Sequence, residues 1–306
     1  MRVVIAGGSG FLGTALTARL AARGDEVVVL TRQPGPPATG GRVREVAWRA
    51  DGSVEPELVP ELESAGAVVN LAGAGIADRR WTAARKRLIR DSRLLSTGSL
   101  ARSIQACRTP PPVFIQGSAV GFYGATLSDR IFDESHAAGD DFLGQLCLEW
   151  EREALPVADV GCRLVYVRTG LALAKHGGVL GPMKLPFLFF VGGPVASGRQ
   201  YFPWVHRDDW VSLVLWAIDT PAVSGPVNGT APNPVTNAEF SKALGREMGR
   251  PSWLPVPGFA LRILVGEFAD DGLLKGQRVV PKRTQELGFT FRHPDIGPAL
   301  ADVFRR

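Results

Sequence analysis

The chain has 306 residues, 45% of them apolar and 21% charged, with a formal net charge of +5. This composition excludes a disordered chain and fits one large globular domain or two lobes, while the mild positive charge suits an anionic cofactor or substrate better than nucleic acid. No apolar run is long enough to span a bilayer, the glycine-broken N-terminus is no signal peptide, and Cys107, Cys147 and Cys162 form neither a metal spacing nor a disulfide framework, so a cytoplasmic protein is expected.

The first 32 residues carry the strongest signal. Val3 to Ala6 read as a buried strand, and Gly7, Gly10 and Gly13 follow in the spacing G-x-x-G-x-x-G. Leu12, Leu16 and Leu20 then mark one face of a helix, Gly24 ends it, and Val27 to Leu30 make a second strand. In that context the glycines allow a tight turn, close approach of backbone to a pyrophosphate, and packing of helix on strand. The helix N-terminus offers free N–H groups to phosphate. The loop Gly7, Ser9, Gly10, Phe11, Leu12, Gly13 is therefore the candidate dinucleotide cradle. After the second strand, where NAD-selective folds place an acid, stand Thr31 and Arg32. The fork of Arg32 suits a 2′-phosphate and Thr31 adds a hydroxyl, so NADP(H) is the expected cofactor.

Residues 34–60 are rich in Pro and Gly and read as loops around a third strand near Val43–Trp48. Ala67 to Gly73 is a buried strand ending in Asn70, Leu71, Ala72 and Gly73, whose small residues let adenosine and ribose lie against backbone. Residues 79–102 are strongly basic, opposed only by Asp78 and Asp91. Most of these side chains read as a solvated helix face, with Arg79, Arg90 and Arg93 the candidates to meet an anion. Trp81 is the sole aromatic there, which argues against single-stranded nucleic acid.

Val113 to Gly124 is another strand running into a glycine-rich turn. Ser118 falls at its C-terminal end, where ligands meet parallel sheets, and Tyr123 follows closely. Asp133 and Glu134 lie in the next loop. Leu143, Leu146, Cys147 and Trp150 recur at helical spacing, and Cys162 to Arg168 form the next strand. Residues 175–203 are glycine-rich and irregular, as expected of a substrate-binding loop system. His206, Asp208 and Asp209 precede a helix-like run from Trp210 to Ile218. One histidine makes no metal site and Asp at a helix start reads as a cap, so no metal is expected. Thr236 to Glu239 is a capping box, and a proline-punctuated loop-and-helix segment ends the chain.

This alternation predicts an α/β fold, a Rossmann-type doubly wound parallel sheet with a smaller C-terminal lobe. Residues 1–170 are expected to form the dinucleotide-binding domain, with the chain returning to it at about 204–235. Residues 171–203 and 236–306 are expected to form the lobe.

Four stretches, Gly7-Gly-Ser-Gly-Phe-Leu-Gly13, Asn70-Leu-Ala-Gly73, Ser118 through Tyr123-Gly124, and Val205-His-Arg-Asp-Asp209, resemble the extended short-chain dehydrogenase/reductases. Ser92-Arg93, Trp204 with His206, and the tail from Arg250-Pro251 to Gly288-Phe289 are similar to an atypical, NAD-dependent epimerase/dehydratase-like subfamily, the SDR39U1 type. The resemblance covers essentially the whole chain. It implies the same fold and NADP(H) binding, with Arg93 and Arg168 completing the candidate cofactor contacts. Members of the superfamily carry Tyr-x-x-x-Lys on the helix after the serine strand, the tyrosine as acid/base and the lysine lowering its pKa and binding ribose. Registered on Glu151, those two positions fall at Leu143 and Cys147. Any chemistry must then come from Ser118, Tyr123 and Glu134, or from His206 across the cleft.

Two functions follow. One is an NADP(H)-dependent oxidoreductase or epimerase acting on a small substrate, for which an anionic molecule is a candidate. The polar groups Ser118, Tyr123, Glu134, Arg168, Lys184, Gln200 and His206 favour it. The other is a non-catalytic NADP(H)-binding regulator or scaffold, favoured by Leu143 and Cys147; some plastid and cyanobacterial relatives are implicated in cell division. Neither a nucleic-acid nor a membrane partner is expected. Dimer helices of the superfamily correspond to 79–106 and 142–155, and the basic charge of the first predicts a monomer or weak homodimer.

Overall fold

Val3 and Ile5 face one side of the first strand and Val4 and Ala6 the other, yet all four are fully buried. A strand without a polar face belongs in a parallel sheet covered by helices on both sides. The computed structural model, which describes residues 1–35 and 41–305, has that architecture. Its strands are β1 (Arg2–Ala6), β2 (Glu26–Thr31), β3 (Val43–Ala47), β4 (Ala67–Asn70), β5 (Val113–Ala119), β6 (Arg163–Thr169) and β7 (Gly225–Gly229). They form one seven-stranded sheet in the order β7-β6-β5-β4-β1-β2-β3, every neighbouring pair parallel. The sheet is the expected Rossmann-type one. Of the stretch expected as loops around the third strand, residues 36–40 lie outside the described residues.

Helices α1 (Phe11–Arg23), α2 (Ala83–Gln105), α3 (Phe142–Glu153), α4 (Leu180–Leu188), α5 (Arg207–Asp219), α6 (Asn237–Met248), α7 (Gly258–Val265) and α8 (Ile296–Arg305) complete the architecture with short turns and paired two- and three-residue strands. Leu16 and Leu20 of α1 join Trp210, Leu213 and Val214 of α5 against Val3, Ile5, Val29 and Val167 on one face. Leu100, Ala101 and Ile104 of α2 cover Val4, Val28, Val68 and Phe114 on the other. Each buried Leu contributes about 1.5–3 kcal/mol. Gly24 ends α1 in the left-handed region at φ 97°, as its place after the last apolar residue predicts.

Beyond the sheet, α4, α6 and α8 enclose a separate core around Leu180, Phe187, Trp204, Phe240, Leu244 and Leu300. The capping box forms, with Thr236 and Glu239 bonding reciprocally. The irregular stretch expected at 175–203 is corrected, because α4 lies within it. Pro186 inside the helix and the glycines around it hide its period, whereas Leu180 and Phe187, two turns apart, bury the same face. By contrast α7 buries no residue and exposes Phe259, Ile263 and Leu264. Among the described residues no helix is long and apolar enough to cross a membrane.

Candidate functional site

The loop between β1 and α1 is shaped by backbone contact. Gly7 has φ 79°, and a Cβ there would sit 2.7 Å from the carbonyl carbon of Leu71. At Gly13 a Cβ would sit 2.1 Å from the Gly7 oxygen. The two positions therefore draw β1, the start of α1 and the end of β4 together at the point where strand order reverses, the crevice in which open α/β sheets bind ligands. Gly10 caps α1 with no side-chain hydrogen bond, so no side chain competes with an anion for the N–H groups of the first turn. Ser9 is exposed beside it, Phe11 packs under Gly177 and Gly178, and Leu12 turns to the core.

Past the ends of β2 and β3, exposed Arg32 borders a cavity of about 630 Å³ whose other walls include Trp48, Arg49, Asp51 and Glu55. Thr31 is half-buried, and its hydroxyl accepts from the Gln33 N–H at 3.4 Å. Asn70 is fully buried. Its amide donates to Thr97 and Gln116 and its Oδ1 accepts from the Ala72 N–H at 3.1 Å, which fixes the turn through Leu71, Ala72 and Gly73.

Ser118, Tyr123, Glu134 and Arg168 meet, but in a closed and buried network. The Arg168 guanidinium is bidentate to Glu151, both contacts 2.9 Å, and lies 3.4 Å over the Phe122 ring. Burial is the largest single influence and works against its charge, but the hydrogen bonds and charge attraction of Glu151, with Tyr123, together outweigh it and raise the pKa. Ser118 donates to the same carboxylate at 2.7 Å. Tyr123 donates to Asn228 Oδ1 at 2.7 Å and accepts from Arg168, and burial pushes its phenol up to about 12. Both oxygens of Glu134 accept from the 228 and 283–284 segments, through the N–H groups of Asn228, Arg283 and Thr284 and the Thr284 hydroxyl. Arg168 is thus turned inward to Glu151, and Glu134 ties the C-terminal segment to β7. Sequence reasoning missed Glu151, Asn228 and Thr284 as members. A glutamate on the buried face of α3 was a signal for the first; partners 94 to 150 residues away in sequence left none for the others.

His206 does not join this network. It caps α5, its Nδ1 accepting from the Asp208 N–H at 3.1 Å, so the expected Asp cap is corrected to a His cap. Asp209 instead accepts from the Arg292 and His293 N–H groups, and burial raises its pKa. His206, His293 and Asp302 bring one ligand atom each within 4.8 Å of one another. Two features argue against a metal there. The cap leaves the His206 proton on Nε2, 3.4 Å from Asp302, and the two rings stack at 4.0 Å and 30°, so their planes do not converge at metal-bond length. Lys184 donates to the Lys175 carbonyl and Gln200 to those of Val195 and Leu273, which commits both to loop structure.

Leu143 and Cys147 lie where the resemblance places a tyrosine and a lysine. Leu143 packs with Trp81, Ile89, Leu146 and Phe268 in an apolar cluster. Cys147 is 3% exposed and burial pushes its thiol up to about 12. Arg93, one of three basic candidates on its stretch, is itself buried, whereas Arg79 and Arg90 are exposed, Arg90 pairing with Glu149 at 2.7 Å.

A doubly wound parallel sheet with a glycine cradle at its reversal point and no acid after β2 defines the class: a dinucleotide-binding α/β protein. Comparison narrows the class. The model of the NAD dependent epimerase/dehydratase family matches residues 3–141, and a domain of unknown function, DUF1731, matches 256–303. An epimerase family protein of Mycobacterium leprae is 42% identical over 98% of this chain and 94% of its own. The human epimerase family protein SDR39U1 is 38% identical over 99% of both. A crystal structure of that human protein (isoform 2) with NADPH superimposes with a TM-score of 0.89 at 37% identity, covering 100% of each chain. The UDP-glucose 4-epimerase of Thermus thermophilus, solved with NAD, shares the fold at 19% identity and a TM-score of 0.77, over 100% of this chain and 99% of its own. The chain belongs to the SDR39U1-type epimerase family, within the extended short-chain dehydrogenase/reductases.

Proposed function

We propose that this protein binds NADP(H) and uses it as an oxidoreductase or epimerase on a small substrate. The observation that carries the reading is the uncapped glycine cradle at the sheet's reversal point with Arg32, and no acid, after β2. The Gly7–Gly13 backbone and the α1 N-terminus would hold the pyrophosphate, Leu71 to Gly73 its floor, and Arg32 with Thr31 the 2′-phosphate. NADPH in the human relative supports this, as does the cavity beside Arg32 for an adenosine. When bound, the cofactor supplies hydride exchange. Ser118, at the C-terminal end of β5, and Tyr123, in the turn that follows it, are the candidate side chains for that chemistry, while Glu134 and His206 serve as anchors.

A charge-assisted bidentate contact is worth about 1.5–3 kcal/mol, so NADPH should bind about 10- to 100-fold more tightly than NADH. Calorimetric titration of both cofactors, before and after Arg32→Ala, checks this. Equal affinities would remove the 2′-phosphate role. A second reading, an NADP(H)-binding regulator, is favoured by Leu143 in its apolar cluster and by the closed network around Arg168. Stopped-flow NADPH oxidation against a panel of carbonyl compounds separates the two. Tight NADPH binding with no oxidation selects the regulator.

A further inference from the structure

Single apolar side chains on a surface need no explanation, but a cluster of large ones marks a place that something else covers. More than half of the exposed large apolar side chains among the described residues fall in two stretches, 185–191 and 253–264. Hydrogen bonds join the two into one surface. The N–H groups of Trp253 and Leu254 donate to the Gly192 carbonyl, and that of Val256 donates to Pro194. The Trp253 indole donates to the Phe190 carbonyl at 3.0 Å. Just beyond, α7 begins at Gly258, set against Ala196, and its Phe259 and Ile263, one turn apart, share a face. The backbone holds part of this display at a cost. Phe190 has φ 62°, a left-handed conformation that an aromatic residue rarely takes, and Phe189 beside it is 75% exposed, whereas Phe187 enters the core.

Charge around the patch has one sign. Residues 180–199 and 249–266 contain Lys184, Arg199, Arg250 and Arg262 and no acid. Arg262 is paired with Asp270, and Lys184 donates to a carbonyl. Arg250 and Arg80 then frame the apolar side chains. The Arg250 guanidinium lies 4.5 Å over the Phe190 ring, and the Arg80 side chain lies against Gly266 at the end of α7. Glu267, the next acid along the chain, is paired with Lys86. A second copy of the chain seated on the same patch about a two-fold axis would set these cations against each other. An anionic lipid surface suits both features: aromatic and aliphatic side chains enter the headgroup boundary while the arginines meet lipid phosphates. No described helix is long and apolar enough to cross a bilayer, and docking on its surface requires none.

We propose that the 185–191 tip, Trp253 and α7 form a docking surface for a membrane rich in anionic lipid, a partner that the sequence does not lead one to expect. The proposal is independent of the NADP(H) reading. The full chain is floated with vesicles of phosphatidylcholine alone and with vesicles of equal parts phosphatidylcholine and phosphatidylglycerol. The wild type should bind the anionic vesicles more tightly and be released from them by rising salt. The double variants Phe189→Ser with Phe190→Asn, whose asparagine accepts the left-handed φ, and Phe259→Ser with Ile263→Ser should each bind about 10-fold or more weakly. Arg250→Gln should weaken binding to the anionic vesicles alone. NADPH affinity should be unchanged in every variant, since none alters a candidate cofactor contact, and that affinity also shows that each variant is folded. A wild type that leaves the anionic vesicles unbound, equal binding to both vesicles, or full binding by both double variants overturns the proposal. So does a dimer in vesicle-free sedimentation that the double variants dissolve, which would put a second copy on the patch. A KM for a carbonyl compound raised in both double variants without vesicles would put the substrate there, and overturns it as well.

Discussion

Cys147 shows how burial decides what a side chain can do. A thiol reacts as thiolate, and burial pushes both Cys147 and Cys162 up to about 12 and the partly exposed Cys107 to about 11. At pH 8 a thiol with a pKa near 12 is about one part in ten thousand thiolate. All three cysteines are free, so the native protein should react slowly with a thiol reagent at pH 8, Cys107 first, and show three thiols after unfolding. Rapid native modification that vanishes in Cys147→Ala would show that Cys147 is accessible. Cys147→Ala should leave NADPH affinity within about twofold, because the thiol is a small core group rather than a base. The helical period of 143, 146, 147 and 150 already placed this cysteine on the apolar face. It could not show that Tyr123 and Ser118 are spoken for by Asn228 and Glu151.

Among the elements, the turn at 133–136 is the one whose stability should track acidity. The Ser135 hydroxyl, its strongest stabilising contact, then His136 Nδ1 at 2.9 Å and the Ser135 N–H hold the Asp133 carboxyl down at about 2 against burial. The folded value lies below the unfolded one, about 4, so the contribution is complete above pH 4 and is lost as pH falls from 4 to 2. Urea midpoints measured from pH 5 to pH 2 should fall more steeply for the wild type than for Asp133→Asn. Parallel curves would mean the turn adds nothing. The neighbouring Glu134 anchors the C-terminal segment, so loosening here should be felt at Thr284 and β7. Elements with a strict period were legible in sequence: β1, α1, α3 and the capped α6. Helix α4 was not, since two buried contacts seven residues apart suffice for it and Pro186 masks the rest.

For the whole molecule, basic charge on α2 is smaller than its sequence suggests. Arg90 pairs with Glu149 and Arg102 with Glu153, both acids on α3, and Lys86 pairs with Glu267. Exposed pairs of this kind contribute little stability, about 0–1 kcal/mol, but they do remove like-charge repulsion from this face. Arg79, Arg80 and Arg87 remain exposed, so we still expect a monomer or weak dimer. Sedimentation velocity at low micromolar concentration checks it. A stable dimer would mean that the α2–α3 pairs neutralise the face well enough for two copies to meet.

Local signals along the chain were enough to specify the sheet, the glycine cradle and the arginine after β2. They are strand and helix periods, and glycines forced by contacts between neighbouring turns. The remainder depended on packing between distant segments. Packing chose Arg93 from a run of basic residues, because only contact with Gly73 and Trp150 removes one guanidinium from water and leaves it without a carboxylate. It also turned Arg168 and Glu134 inward, because their partners, Glu151, Asn228 and Thr284, come together only when β5, β6, β7 and the C-terminal segment close over one another.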